Sequence, residues 1–342
     1  MESPVSIVGR DSIVSIHVLV SIRQPVSAWV IPDAHVERLR RAFPHVTFTH
    51  ALDERADWEG LARADAAFTW ILTPEMVAQA PRLRWVHSSA VAVGTLPLRE
   101  LGARGITVTN SRGIQSPAIA EHVVGVLLAL ARRLPLALRR QHERVWAQNE
   151  MIGGASPWVV QSRRMGIVGL GTIGQAVAVR AAGLGMHVAA VRRRPEQGAT
   201  LGVSEVLGPS SLREMLASSD VIVLAAPWTP DTDRVLGAPE IAMMKRGAVL
   251  INVARGQLID EAAVAAGLAD GRLAGAALDV FTEEPLPAES PFWSLPNVIL
   301  TPHTSGFRAD HWDAVTALFE EQIRRFEDGR PLLNEVDCAA GY

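Results

Sequence analysis

The chain has 342 residues, of which 48% are hydrophobic and 20% charged, enough apolar material for two packed domains. Its formal net charge of −3 excludes a general electrostatic attraction to nucleic acid or to an anionic membrane surface. The single cysteine, Cys338, excludes an internal disulfide, and with no signal peptide legible the expected compartment is the cytoplasm.

In chain order, Ser15 to Val20 reads as a strand and Asp33 to Phe43 as an amphipathic helix capped by Asp33. Strands at Val46 to Thr49, Ala66 to Trp70, Leu83 to Ser88 and Ile106 to Thr109 are interleaved with helices near Trp58 to Arg63 and Thr73 to Ala80. Such alternation implies a parallel sheet with helices on both faces. Pro117 to Leu134 reads as one long helix, whose apolar residues Val123, Val124, Val126, Leu127, Leu128 and Leu130 spread too widely for one buried face. Its apolar run falls short of the roughly 20 residues a bilayer demands. It is therefore expected to be covered by its own domain and by a second subunit, in a homodimer with Trp146 and Trp158 as interface anchors.

The strand Arg164 to Val168 runs directly into Gly169-Leu170-Gly171-Thr172-Ile173-Gly174. A G-x-G-x-x-G after a strand is a dinucleotide fingerprint: its glycines serve a tight turn, close approach of backbone to a pyrophosphate, and close packing of the next helix. That helix, Gln175 to Gly183, would aim its free N–H groups at the phosphates, and Met186 to Val191 supplies the next strand. Strands at Val221 to Leu224, Ala248 to Asn252, Ala274 to Asp279 and Val298 to Leu300 bring this sheet to six. A final amphipathic helix, Arg308 to Asp328, is expected to return to the N-terminal domain. The expected architecture is two doubly wound parallel-sheet α/β domains. Residues 1–109 with 306–342 form a discontinuous substrate-binding domain, and 110–305 the dinucleotide-binding domain.

Ligands of doubly wound sheets bind beyond the carboxyl ends of the strands. There the sequence places Arg255, Asp279, Glu284 and His303. Each alone reads as a solvated loop charge or a structural hydrogen-bond partner, but an Arg, a Glu and a His at successive strand ends beside a nucleotide fingerprint read as a catalytic set. The ten histidines show no metal-ligand spacing, and no metal is expected. His122 reads as a packing residue, and Trp70, Ile71 and Leu72 suit either a pocket wall or core packing.

Over nearly its whole length the sequence resembles the D-isomer-specific 2-hydroxyacid dehydrogenases. The resemblance rests on Gly105 to Asn110 with Ala120-Glu121-His122, on the fingerprint, on Asn252-Val253-Ala254-Arg255-Gly256, on Leu278 to Leu286, and on Thr301-Pro302-His303-Thr304-Ser305-Gly306. It implies a Rossmann cofactor domain with a smaller flavodoxin-like substrate domain, and hydride transfer between a nicotinamide and C2 of a 2-oxoacid or D-2-hydroxyacid. It also implies roles. His303 exchanges the substrate proton, Glu284, directly before Pro285-Leu286, holds the ring's tautomer and proton, and Arg255 binds the substrate carboxylate and carbonyl. Backbone N–H groups of Val91, Ala92 and Val93 would bind the other carboxylate oxygen. The cofactor would contact Gly169, Gly171, Thr172, Ile173, Gly174, Pro227, Thr232, Val253 and Asp279.

The chain departs from the family pattern in two places. The substrate loop reads Val91-Ala92-Val93-Gly94 where the family commonly has Ala-Gly-Val-Asp. After the strand ending at Val191, where NAD-preferring members carry an acidic residue, stand Arg192, Arg193 and Arg194. Arginine offers only donors, which suit a 2′-phosphate, so NADP(H) is the expected cofactor with NAD(H) as the alternative. The expected activity is reduction of glyoxylate, hydroxypyruvate or a related 2-oxoacid. Phosphite oxidation uses the same Arg-Glu-His set and stays open, as does a dinucleotide-sensing, corepressor-like binding protein. With 39 residues after His303, the regulatory domain common in phosphoglycerate dehydrogenases is not expected at that end.

Overall fold

The computed structural model describes residues 16–24, 26–153, 156–198 and 200–341, so the Ser15 end of the first expected strand lies outside the described residues. The chain divides into two compact units, Met1–Ile114 with Asp310–Tyr342, and Gln115–Ala309. The first junction falls beyond residue 109 because the amides of Asn110 and Ser111 bond to Asn334 and Ala90, both in unit one. The second falls beyond 305, where Gly306 still packs on the Gln115 side chain of unit two.

Unit one contains β1 (His17–Ser21), α1 (Asp33–Ala42), β2 (Thr47–His50), α2 (Glu54–Leu61), β3 (Ala66–Thr69), α3 (Pro74–Ala78), β4 (Trp85–Ser88), α4 (Leu98–Ala103), β5 (Thr107–Asn110) and a C-terminal helix, His311–Glu327. Its five parallel strands lie in the order β2-β1-β3-β4-β5. Along β1, Leu19 enters one core layer with Leu61, Val86 and Leu101, while Val18 and Val20 enter the other with Leu39, Phe68 and Trp85. Burial on both faces is what a parallel sheet between helices requires. The C-terminal helix closes the second layer with Trp312, Val315, Phe319 and Ile323, one stripe at helical spacing, and Phe319 stacks on Phe68 with centroids 4.1 Å apart. Asp33 does not cap α1 as expected: it lies inside the first turn behind Pro32, and its carboxylate stands 3.3 Å from His50 Nδ1.

Unit two contains α5 (Ser116–Ala131), α6 (Leu134–His142), α7 (Gln148–Ile152), β6 (Arg164–Val168), α8 (Thr172–Gly183), β7 (His187–Val191), β8 (Glu205–Leu207), α9 (Leu212–Ser218), β9 (Val221–Leu224), α10 (Ala238–Met243), β10 (Ala248–Asn252), α11 (Glu261–Ala269), β11 (Leu273–Leu278) and β12 (Val298–Leu300). The parallel sheet has seven strands, β12-β11-β10-β9-β6-β7-β8, rather than the expected six. The additional one, β8, is a three-residue edge strand with no fully buried residue. Strand order reverses at β6 and β9, the switch point where such sheets open a ligand crevice.

The expected long helix is also corrected: α5 ends at Ala131, Arg133 takes a left-handed φ of 56°, and a separate α6 begins at Leu134. The apolar surplus of α5 is used within unit two, where Ile119, Val123, Val126 and Leu127 are buried and Leu128 and Leu130 pack beside them. Trp158 joins the same core, whereas Trp146 is 91% exposed. Among the described residues no helix is long and apolar enough to cross a membrane.

Candidate active site

At the end of β6 the backbone turns at Gly169 with φ 98°, and a Cβ there would lie 2.5 Å from the Ala226 nitrogen. A Cβ on Gly174 would lie 2.1 Å from the Gly169 oxygen, so both positions demand glycine for close packing of turn, β9 end and α8. At Gly171 a Cβ would meet nothing within 4 Å, which leaves room for a ligand to approach the backbone. α8 begins at Thr172, three residues earlier than expected, and the first amides of the helix have no helical acceptor. Ile173 packs into the core beneath the turn. The Gly169 amide bonds to the Val191 carbonyl at 2.9 Å, which sets the end of β7 and the following Arg192 beside the glycine turn. The Arg192 amide donates to Leu207 and its guanidinium to Gln197 Oε1; Arg193 and Arg194 are exposed.

After β9, Thr232 donates its hydroxyl proton to the Pro227 carbonyl at 2.7 Å and accepts the Thr229 amide, knotting the loop that carries both expected cofactor residues. After β10, Val253 is buried and Asn252 shapes the next turn, accepting the Ala254 amide at 3.1 Å and donating to the Arg255 carbonyl at 2.9 Å. Arg255 thereby projects from the strand end, its guanidinium also donating to the Ala254 carbonyl. Burial lowers its affinity for the proton and nearby Glu284 opposes that, and the guanidinium stays charged.

Gly256 explains how two loops come together. A Cβ there would lie 2.0 Å from the Phe281 carbonyl carbon, so the Arg255 turn lies directly on the loop leading to Glu284. Glu284 accepts the Phe281 amide through Oε1 at 2.9 Å and meets His303 Nδ1 through Oε2 at 2.8 Å. His303 holds a left-handed φ of 54°, with its amide bonded to the Asp279 carbonyl at 2.9 Å. Asp279, 1% exposed, spends its carboxylate on the same turn: Oδ1 accepts Thr301 Oγ1 and the Thr304 amide, and Oδ2 the Ser305 amide. The residue expected to meet the cofactor is thus engaged with the histidine loop. His122 reaches this network, with Nε2 3.4 Å from Thr301 Oγ1; burial lowers its pKa, opposed by Asp279.

The organising roles of Asn252 and Asp279 were not legible from sequence. The available signal was a polar residue closing an apolar strand, in Leu250-Ile251-Asn252 and Ala277-Leu278-Asp279.

In unit one, the loop after β4 is shaped by Ser88, whose hydroxyl accepts the Ala90 amide at 3.2 Å and donates to the Ala92 carbonyl at 3.5 Å. Asn110 Nδ2 holds the Val91 carbonyl at 2.8 Å, and the Val93 side chain is buried. The amides of Val91, Ala92 and Val93 find no acceptor among the described residues. Beneath the loop lies His87, fully buried and pushed down by burial to about 3, hence neutral. Ser111 Oγ donates its proton to the Ser88 carbonyl at 3.0 Å, so it accepts from His87 Nε2 at 3.4 Å; the ring proton sits on Nε2 and the neutral Nδ1 accepts the Thr109 hydroxyl, which itself accepts Trp85 Nε1. Of the residues considered for a pocket wall, Leu72 is buried, Trp70 packs on the core and Ile71 is exposed.

The sequence profile described as "D-isomer specific 2-hydroxyacid dehydrogenase, NAD binding domain" matches residues 124–305. A glyoxylate reductase of Korarchaeum cryptofilum is 34% identical over 280 residues, covering 79% of this chain and 82% of that protein. A D-3-phosphoglycerate dehydrogenase of Methanocaldococcus jannaschii is 33% identical over 78% of this chain, but over only 50% of its own length. Among solved structures, the D-isomer specific 2-hydroxyacid dehydrogenase from Xanthobacter autotrophicus Py2 in complex with NADPH and MES superposes with a TM-score of 0.81, at 32% identity over 96% of this chain and 100% of that one.

Proposed function

Because this chain belongs to the D-isomer specific 2-hydroxyacid dehydrogenase family, we propose that it is an NADP(H)-preferring reductase of a small 2-oxoacid such as glyoxylate or hydroxypyruvate. The chain is an oxidoreductase of 2-hydroxyacids that uses a nicotinamide cofactor. The observation that carries the catalytic assignment is the Glu284 to His303 bond at 2.8 Å beside Arg255. With Nδ1 held by Glu284, the free ring atom is Nε2, and there the proton passes to the carbonyl oxygen in reduction and returns in oxidation. Arg255 binds the substrate carboxylate and stabilises negative charge growing on the reacting oxygen. The bound nicotinamide supplies or accepts the hydride. Unit two serves as the cofactor domain, and unit one as the substrate domain through the amides of Val91, Ala92 and Val93, which have no acceptor among the described residues. The open cradle at Gly171, with Gly169, Thr172, Ile173 and Gly174 around it, fits a pyrophosphate; Pro227, Thr232, Val253 and Asp279 lie at the adjoining strand ends.

The arginines beside the glycine turn support NADP(H), as does the NADPH bound in the Xanthobacter relative. A charge-assisted hydrogen bond to a 2′-phosphate contributes roughly 1.5–3 kcal/mol, about ten- to a hundredfold in preference. The test compares kcat/KM with NADPH and NADH across a panel of 2-oxoacids, in the parent and in Arg192→Asp. Equal or better use of NADH by the parent refutes the cofactor preference, and no turnover of any 2-oxoacid refutes the substrate class. We also propose a homodimer, supported by the exposed apolar residues Leu134, Leu138, Trp146 and Ile152 on and between α6 and α7. A second copy of the same surface would cover them in an isologous interface.

A further inference from the structure

Ser116 is the first residue of α5 and only 5% exposed. A serine at a helix start ordinarily accepts a backbone amide of its own helix, but α5 has Gln115 at its cap position and no side-chain cap bond. The Ser116 hydroxyl turns instead to another helix, donating to Thr172 Oγ1 at 3.0 Å. Thr172 opens α8, is exposed, and follows Gly171, where there is space for a ligand. A hydroxyl has one proton and two lone pairs. Since Ser116 occupies a lone pair of Thr172, the Thr172 proton points elsewhere, and no acceptor among the described residues takes it. A threonine side chain divides between staggered positions in a helix, and a fixed donor beneath selects one of them.

We propose that Ser116 is a positioning residue for the dinucleotide: its buried hydroxyl orients the Thr172 O–H as a donor to the cofactor pyrophosphate. This rests on the reading that the glycine turn holds the pyrophosphate. Ser116 touches no ligand in this scheme. It removes the alternative rotamer and the alternative proton direction of Thr172, so the donor is set before the cofactor arrives.

Calorimetric binding of two fragments tests the relay without turnover: 2′-phospho-ADP-ribose, which carries the pyrophosphate, and 2′-AMP, which does not. Ser116→Ala and Thr172→Val should each weaken the first fragment about three- to tenfold and leave the second unchanged. The double variant should bind no more weakly than Thr172→Val alone, because both substitutions remove the same donor. Ser116→Thr keeps the hydroxyl and should restore the parent affinity. Equal losses for both fragments in Ser116→Ala, or an added loss from Ser116→Ala in the Thr172→Val background, would overturn the relay and leave Ser116 a packing residue. Intact affinity in Thr172→Val, a change at an exposed residue that does not endanger folding, would overturn it as well. A parent that binds both fragments equally would instead overturn the pyrophosphate reading, so the two failures are distinguishable.

Discussion

His303 occupies a backbone conformation that a non-glycine residue seldom adopts, and its surroundings explain why it stays there. Asp279 fixes the turn through its carbonyl and both carboxylate oxygens, which offsets a strain of about 1–3 kcal/mol. On that fixed base, His303→Ala should lower the rate of 2-oxoacid reduction by roughly two to four orders of magnitude. Glu284→Gln keeps an acceptor opposite Nδ1 but removes its negative charge, so the protonated ring loses its electrostatic partner. Glu284→Gln should therefore lower kcat by at least about tenfold with a smaller change in KM; an unchanged kcat would show that the pair has no role in catalysis. Gly256→Ala drives a methyl group into the Phe281 backbone and must separate the Arg255 turn from the Glu284 loop. It should cost about 1–3 kcal/mol of stability and at least about tenfold in kcat/KM, read from thermal melts and steady-state kinetics.

Among the elements, what could be read from sequence and what could not divides on physical grounds. Central parallel strands are buried on both faces and appear as continuous apolar runs, so β6, β9 and β10 were legible directly. β8 was not, because a short edge strand with one face in solvent needs no such run. The end of α5 was overrun because Arg132 and Arg133 carry no glycine or proline signal, although Pro135 near the start of α6 marked a new helix. Arg255, Glu284 and His303 were readable as residues just past strand ends. The Glu284–His303 contact and the hold of Asp279 on the histidine turn were not, since both depend on β11 and β12 lying side by side. The buried His87 of β4, bonded to Thr109 of β5, adds a pH dependence to unit one. Its folded value near 3 lies below the ordinary 6.5, so its stabilising contribution is complete above 6.5 and is lost as pH falls towards 3. Thermal stability should therefore fall between pH 6.5 and 4, and His87→Gln should flatten that slope; an unchanged slope would assign the acid sensitivity to other groups.

For the molecule as a whole, light scattering at micromolar concentration should give the mass of two chains, and Trp146→Glu should shift it towards one, because a charge would replace the most exposed large apolar side chain among the described residues. A parent mass of one chain would refute the dimer. The discontinuity of unit one bears on biosynthesis as well. Its five strands are translated before unit two, and the face carrying Phe68 and Trp85, which α1 covers in part through Val36 and Leu39, is completed only by the helix from His311 to Glu327. Between Asn110 and that helix roughly 200 residues must be translated, which at about 5–20 residues per second takes on the order of 10–40 s. Unit two is contiguous and completes within that interval. The newly made chain therefore carries a finished cofactor unit while its earliest strands still present an open aromatic surface, and during those seconds chaperone capture and aggregation compete for it.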